Sequence, residues 1–215
     1  MSSNLQFFAS CPRGLESILQ QELTKLGAKS LQLADGGVHF QGDWKCCAKI
    51  NLHSRIASRI LWRITSARYR SEQDIYRLAH SVAWSSLFKV DCTIKINVSA
   101  IRCPLKSLDF ITLKIKDAMC DRFRNECGIR PSVNTHTPDL RIHAFLEEEQ
   151  CTLYIDTSGE ALFKRGWRQA IGDAPLRENL AAGLLYLSGW QVGTPLFDPM
   201  CGSGTFLIEA AEISL

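Results

Sequence analysis

The chain has 215 residues, 46% of them hydrophobic and 22% charged, with a formal net charge of +3 at pH 7. That composition supports a packed core over one or two domains and excludes a disordered or fibrous chain. So small a net charge excludes a generally basic protein, so any nucleic-acid contact must come from a local patch.

No run is apolar over the length a membrane helix needs, so no membrane partner is expected. The nine cysteines form no C-x-x-C pair and follow no secretory signal. They read as reduced thiols of a cytoplasmic protein, mostly core fillers, and no metal site is expected.

In chain order, Leu5–Ser10 reads as a strand. Leu15, Ile18, Leu19, Leu23 and Leu26 then fall at helical spacing, with Gly27 as the stop. Leu31–Leu33 and Val38–Phe40 flank Asp35-Gly36-Gly37, a hairpin signal. Asp43 caps a second helix to about His53, and Ile60–Tyr69 is extended. The order β-α-β-β-α-β is the ferredoxin-like arrangement. Arg55, Arg59 and Arg63 are spaced four apart in a stretch without acids. If helical they share a face, either a solvated cationic face or a phosphate-binding track.

Ser71–His80 opens with a capping pattern and reads as a short helix, with Trp84 and Phe88 buried after it. Cys92–Ala100 alternates as a half-exposed strand. Ser107 caps a long helix to Cys127, with Phe110, Leu113, Ala118 and Phe123 expected inside and Gly128 as its stop. Leu140–Leu146 and Cys151–Ile155 form a hairpin around three glutamates. Lys164-Arg165-Gly166-Trp167-Arg168 places three cations around an indole. Such a string can grip a phosphate backbone and stack a base, or serve as a linker whose Trp167 packs into a joint. Gly172-Asp173-Ala174-Pro175 opens a helix with Leu176, Leu180, Leu184 and Leu187 as its expected buried stripe. Glu178 and Asn179 on it either approach a cofactor pocket or lie on the surface.

Thr194–Phe197 reads as a buried parallel strand that Asp198-Pro199 ends. Gly202-Ser203-Gly204 makes a tight turn, and a helix follows from Thr205 with Phe206, Leu207, Ala210 and Ala211 on its apolar side. Strand, glycine turn and helix N-terminus are the opening of a nucleotide-type α/β domain. No Lys follows Gly204, which excludes a P-loop, and Leu207 stands where a dinucleotide fold needs a third glycine. An acid for the ribose, expected about 20 residues beyond the turn, does not occur before Leu215, so the pocket is expected to be incomplete.

Asp198-Pro199-Met200-Cys201-Gly202-Ser203-Gly204-Thr205 resembles motif I of S-adenosylmethionine methyltransferases. Residues 71–149 resemble a THUMP domain, an RNA-binding module. With Tyr154–Arg168 and Ala174–Ala182, the whole succession is similar to the bacterial THUMP-domain 23S ribosomal RNA guanine-N2 methyltransferase family, in its N-terminal part. The resemblance implies an α+β chain: ferredoxin-like segment 1–70, THUMP domain 71–157, linker 158–174, and the start of a Rossmann-like methyltransferase domain at 175–215. It implies S-adenosylmethionine held at Asp198, Pro199, Cys201, Gly202, Ser203, Gly204 and Thr205. It also implies large-subunit rRNA as partner, with Arg55, Arg59, Arg63, Lys164, Arg165, Trp167 and Arg168 as candidate RNA contacts.

The family's acceptor motif is of Asn-Pro-Pro-Tyr type, and none of the six asparagines here precedes a proline. No catalytic residue is therefore expected in this chain. It reads as the N-terminal part of such an enzyme; an RNA-binding remnant without chemistry and a tRNA guanine-N2 enzyme are the alternatives.

Overall fold

In the computed structural model, which describes residues 4–166 and 176–215, the chain divides into two compact units. One is Met1–Ile60 with Glu160–Leu215, the other Leu61–Gly159.

The first unit opens with β1 (Leu5–Ser10), α1 (Glu16–Lys25), β2 (Lys29–Ala34), β3 (Gly37–Gly42), α2 (Trp44–His53) and the first residues of β4 (Arg59–Arg68). This is the ferredoxin-like order read from the sequence. β3 runs antiparallel to both β1 and β2. Phe7 of β1 faces Phe40 of β3, their rings stacked 5.2 Å apart. Leu15, Leu19 and Leu23 are buried along α1, and the Asp43 carboxylate caps α2 by accepting the Cys46 N–H at 2.7 Å.

The same unit holds α5 (Glu178–Leu187) and α6 (Thr205–Ser214), and here three expectations fail. Thr194–Phe197 is no strand: it pairs with no strand among the described residues, and Phe197 is exposed. A strand forms only where a neighbour takes up its backbone groups. On α5 the leucine stripe is not the buried face; Leu184 and Leu187 are exposed, while Glu178, Asn179, Ala181, Ala182, Gly183 and Leu185 are buried. Small residues win that face because α1 comes close: a Cβ at Gly183 would stand 2.3 Å from Leu15 Cδ1. On α6 the buried residues are Thr205, Glu209 and Ala210, and Leu207 is half-exposed. The proline-led start of α5 falls in 167–175, outside the described residues.

The second unit is a sheet in which β4 pairs with β7 (Gln150–Asp156), β7 with β6 (Leu140–Glu147), and β6 with β5 (Ile94–Ile101). The last pair is parallel, so the sheet is mixed. Helices α3 (Glu72–Ser81) and α4 (Leu108–Cys127) close its core with Trp84. On α4 the buried face carries Ile111, Ile115, Ala118, Met119 and Phe123. Phe110 and Leu113, expected inside, are about half-exposed at 47% and 52%. Apolar residues occupy both sides of the first two turns, so spacing alone selects the wrong side.

Ser71 and Asp74 form a capping box at the start of α3. Ser71→Ala is expected to destabilise this unit by about 1 kcal/mol, read as faster amide exchange at residues 72–76. The Asp74 carboxyl is held far below its ordinary value by the Arg70 N–H, the Arg77 guanidinium and Ser71. A depressed carboxyl stabilises above its ordinary pKa and loses that contribution as pH falls, so the α3 start is expected to loosen first in acid.

Candidate functional site

The residues expected to hold a cofactor lie together at the N-terminus of α6. Asp198 Oδ1 accepts the Met200 N–H at 3.0 Å, which sets the turn after Pro199. The Gly204 N–H closes it on the Cys201 carbonyl at 2.7 Å. Gly202 and Gly204 have φ of 51° and 73°, the left-handed region that costs a side chain roughly 1–2 kcal/mol. Gly204 is the N-cap, its carbonyl accepting the Ile208 N–H at 3.0 Å. Thr205, the first helical residue, is buried, with its hydroxyl 3.4 Å from that of Ser203. Pro199 and Cys201 are exposed on the turn. First-turn N–H groups of a helix have no intrahelical partner and carry positive potential, so the turn can receive an electron-rich group. Chemically the fit to a carboxylate or hydroxyl-bearing ligand is sound.

The described candidate RNA contacts fall on different elements. Arg55, expected to share a helical face with Arg59 and Arg63, lies in the loop after α2, and the other two are on strand β4. Arg59 and Arg63, four apart on the strand, fall on one side of it by strand alternation, since the β4–β7 register shifts only after Arg63. Arg63 stands opposite Tyr154, and its charge lowers that phenol, though burial leaves it raised overall. Lys164 is exposed and pairs with Glu160 at 3.1 Å. Trp167 and Arg168 lie outside the described residues.

Arg55 and Arg165 meet, but around acids rather than toward solvent. Arg165 Nη1 donates to both carboxylate oxygens of Glu209, at 3.2 and 3.1 Å, and its Nη2 donates to the Arg55 carbonyl at 3.1 Å. Arg55 Nη1 lies 3.4 Å from Glu212 Oε2 and 3.9 Å from Glu209, and Arg55 Nη2 donates to the Glu212 carbonyl. The Glu209 side chain is 0% exposed. Burial raises its pKa, opposed by Arg165 and then Arg55.

The turn that presents Arg55 is itself held. The Glu22 carboxylate accepts the Ser54 hydroxyl, the Arg55 N–H at 2.7 Å and the Ile56 N–H. Asn179, expected at a pocket or on the surface, is instead buried, its amide donating to the Ile56 carbonyl at 3.2 Å and to Ser58 Oγ at 2.9 Å. Glu178 is buried beside it in sequence. Sequence reasoning missed Glu22, Glu209 and Glu212, because an acid on an amphipathic helix reads as its wet side. The one available signal was Glu209 standing four residues after Thr205 within an otherwise apolar run.

A compact α/β unit followed in the chain by a glycine turn at a helix N-terminus defines the class: a separate module ahead of the opening of a nucleotide-cofactor domain. Family comparison agrees, matching an RlmL ferredoxin-like domain at 6–61, a THUMP domain at 69–156 and an RMKL-like methyltransferase domain at 165–215. In this succession of domains the chain is similar to the THUMP-containing RNA methyltransferases.

Among solved structures it is similar to a possible methylase from Clostridium difficile 630, at 33% identity and TM-score 0.89 over 99% of this chain. It is similar to SMU.472 complexed with SAH, at 31% identity and TM-score 0.86 over 100% of this chain. A predicted N6-adenine-specific DNA methylase from Listeria monocytogenes str. 4b F2365 matches at 28% identity and TM-score 0.88 over 99% of this chain. The chain spans 56% of the length of each of these three. Among the described residues no helix is long and apolar enough to cross a membrane.

Proposed function

We propose that this protein serves S-adenosylmethionine-dependent methylation of RNA, with the N2 amine of a guanine in large-subunit rRNA as acceptor. The observation that carries the reading is the left-handed glycine turn at the N-terminus of α6, in the same chain as a THUMP domain. SMU.472, similar along the whole chain, is complexed with SAH, which supports the cofactor class. Asp198 and the Gly202–Thr205 turn would hold the cofactor, and the THUMP unit would hold the RNA. When bound, the cofactor supplies an activated methyl group. An exocyclic amine is a poor nucleophile, and the base must leave its helix to be reached. The acceptor motif that would receive that amine has no match within these residues, so the contribution assigned to them is RNA binding and the first cofactor contacts. Domain limits of 1–70, 71–157 and 175–215 with a linker at 158–174, and a cytoplasmic setting that suits nine free thiols, belong to the same reading.

The test is the affinity of the chain for a large-subunit rRNA fragment, a tRNA and a DNA duplex over a range of salt. Tightest binding to the rRNA fragment, weakening linearly in log salt, is the expected result. Tighter tRNA binding would move the substrate to tRNA. Equal or better binding to the duplex would overturn the RNA reading. For the cofactor, Gly204→Val places a β-branched residue at φ 73° and is expected to weaken S-adenosylmethionine binding at least tenfold, measured by equilibrium dialysis.

A further inference from the structure

α6 is held in an unusual way. Of its apolar residues only Ala210 is buried, and the other two buried residues are Thr205 and Glu209. Thr205 and Glu209 are four residues apart and so lie on one face, about 6 Å apart along the axis. The helix packs on α5 with Phe206, Ile208 and Ile213 partly buried, and directional polar contacts reach it from Arg165 and Arg55 to Glu209 and Glu212. An apolar side chain would bury there at less desolvation cost than a carboxylate. What a guanidinium–carboxylate contact adds is direction, because a planar donor fork accepts few orientations of its partner.

We propose that Arg165 and Arg55 are positioning residues for the glycine turn. By fixing Glu209 and Glu212 they set the rotation and advance of α6, and with it the place of Gly202, Gly204 and Thr205. The arginines are themselves placed from the ferredoxin-like segment: Glu22 holds the backbone of Arg55 and Ile56, and the Arg55 carbonyl holds Arg165. Asn179 ties α5 to the same loop. The first domain of the chain thus sets the geometry of the cofactor turn some 150 residues later. Arg165, which the sequence offers as an RNA contact, serves the cofactor turn instead. The inference rests on reading that turn as the S-adenosylmethionine loop.

The test is amide hydrogen exchange on the full chain, with and without S-adenosylhomocysteine, for Arg165→Met, Arg165→Lys and the double variant Arg165→Met/Glu209→Met. Arg165→Met is expected to speed exchange across residues 201–208 at least tenfold and leave residues 72–127 unchanged. Arg165→Lys, which keeps the charge but not the fork, is expected to recover part of that protection. Unchanged exchange at 201–208 in Arg165→Met would overturn the proposal. If that variant unfolds the whole unit, the double variant decides, since it buries no unpaired charge. Parental protection at 178–187 with fast exchange at 201–208 upholds positioning; parental protection at both overturns it. Parent protein in which S-adenosylhomocysteine slows no amide in 198–208 would overturn the cofactor reading alone, because the ligand-free comparison still judges the clamp.

Discussion

Trp84→Ala is expected to destabilise the THUMP unit by about 3–5 kcal/mol, the usual range for emptying a large aromatic site in a core. The indole is fully buried between α3 and α4, 6.3 Å from the Phe88 ring. Its N–H also donates to the Ala79 carbonyl at 2.7 Å, near the last turn of α3. Alanine removes the volume and leaves the Ala79 carbonyl only the longer bond from the Val82 N–H at 3.4 Å, so the two losses fall on the same helix. Trp84→Phe separates them: it keeps most of the apolar contact and loses the hydrogen bond, worth about 1 kcal/mol in net terms. Urea unfolding followed by circular dichroism, with exchange at residues 72–127 to locate the change, measures both. A Trp84→Ala variant as stable as the parent would mean that the indole does not organise this core.

What was legible from sequence divides along physical lines. Local rules held wherever one residue type answers one backbone need: Asp43 and Ser71 at helix starts, Gly128 at a helix end, the Asp35-Gly36-Gly37 hairpin. The order of elements as far as β7 followed from these, while the domain succession came from the resemblance of longer strings such as 154–168 and 198–205. Faces were less legible. On α4 both Phe110 and Ile111 are apolar, and only the sheet beneath decides that Ile111 goes in. On α5 the larger leucines lost to alanine and glycine because α1 passes too close for them. The glycine turn was readable because Asp198 to Thr205 form one unbroken string of the sequence. Its anchor was not, because Glu22, Arg55, Arg165 and Glu209 come from four separate places and only the fold assembles them. A cationic string such as 164–168 has the same appearance whether its arginine faces RNA or a buried carboxylate.

The strongest effect expected in the first unit comes from Glu22. Its carboxylate takes three donors from the turn after α2, and Glu22→Ala would leave two backbone N–H groups and a hydroxyl with no acceptor in a largely buried place. At roughly 1–3 kcal/mol for each unsatisfied buried group, partly relieved by water, a loss of about 2–4 kcal/mol is expected. The turn presents Arg55 and the carbonyl that holds Arg165, so the loss should appear as faster exchange both at 54–58 and at 205–212.

The same residue gives the unit an inverted response to pH. Burial raises the pKa of Glu22 despite the bonds from Ser54, Arg55 and Ile56, and burial raises Glu209 likewise. A raised carboxyl contributes stability fully below its ordinary value of about 4.5 and loses it as pH rises through the folded value. Lowering the pH toward the ordinary carboxyl range should therefore firm residues 54–58, once intrinsic exchange rates are corrected for. Over the same window the second unit should stay level, since Asp139 is held low by Thr93 and Glu126 by Ser85, so that both lose their contribution only in stronger acid. Glu22→Gln, which cannot ionise, should flatten the response at 54–58. Protection at 54–58 that instead declines on going from pH 7 to pH 5 would show that the three donors outweigh burial, and that Glu22 is an anchor in its charged form.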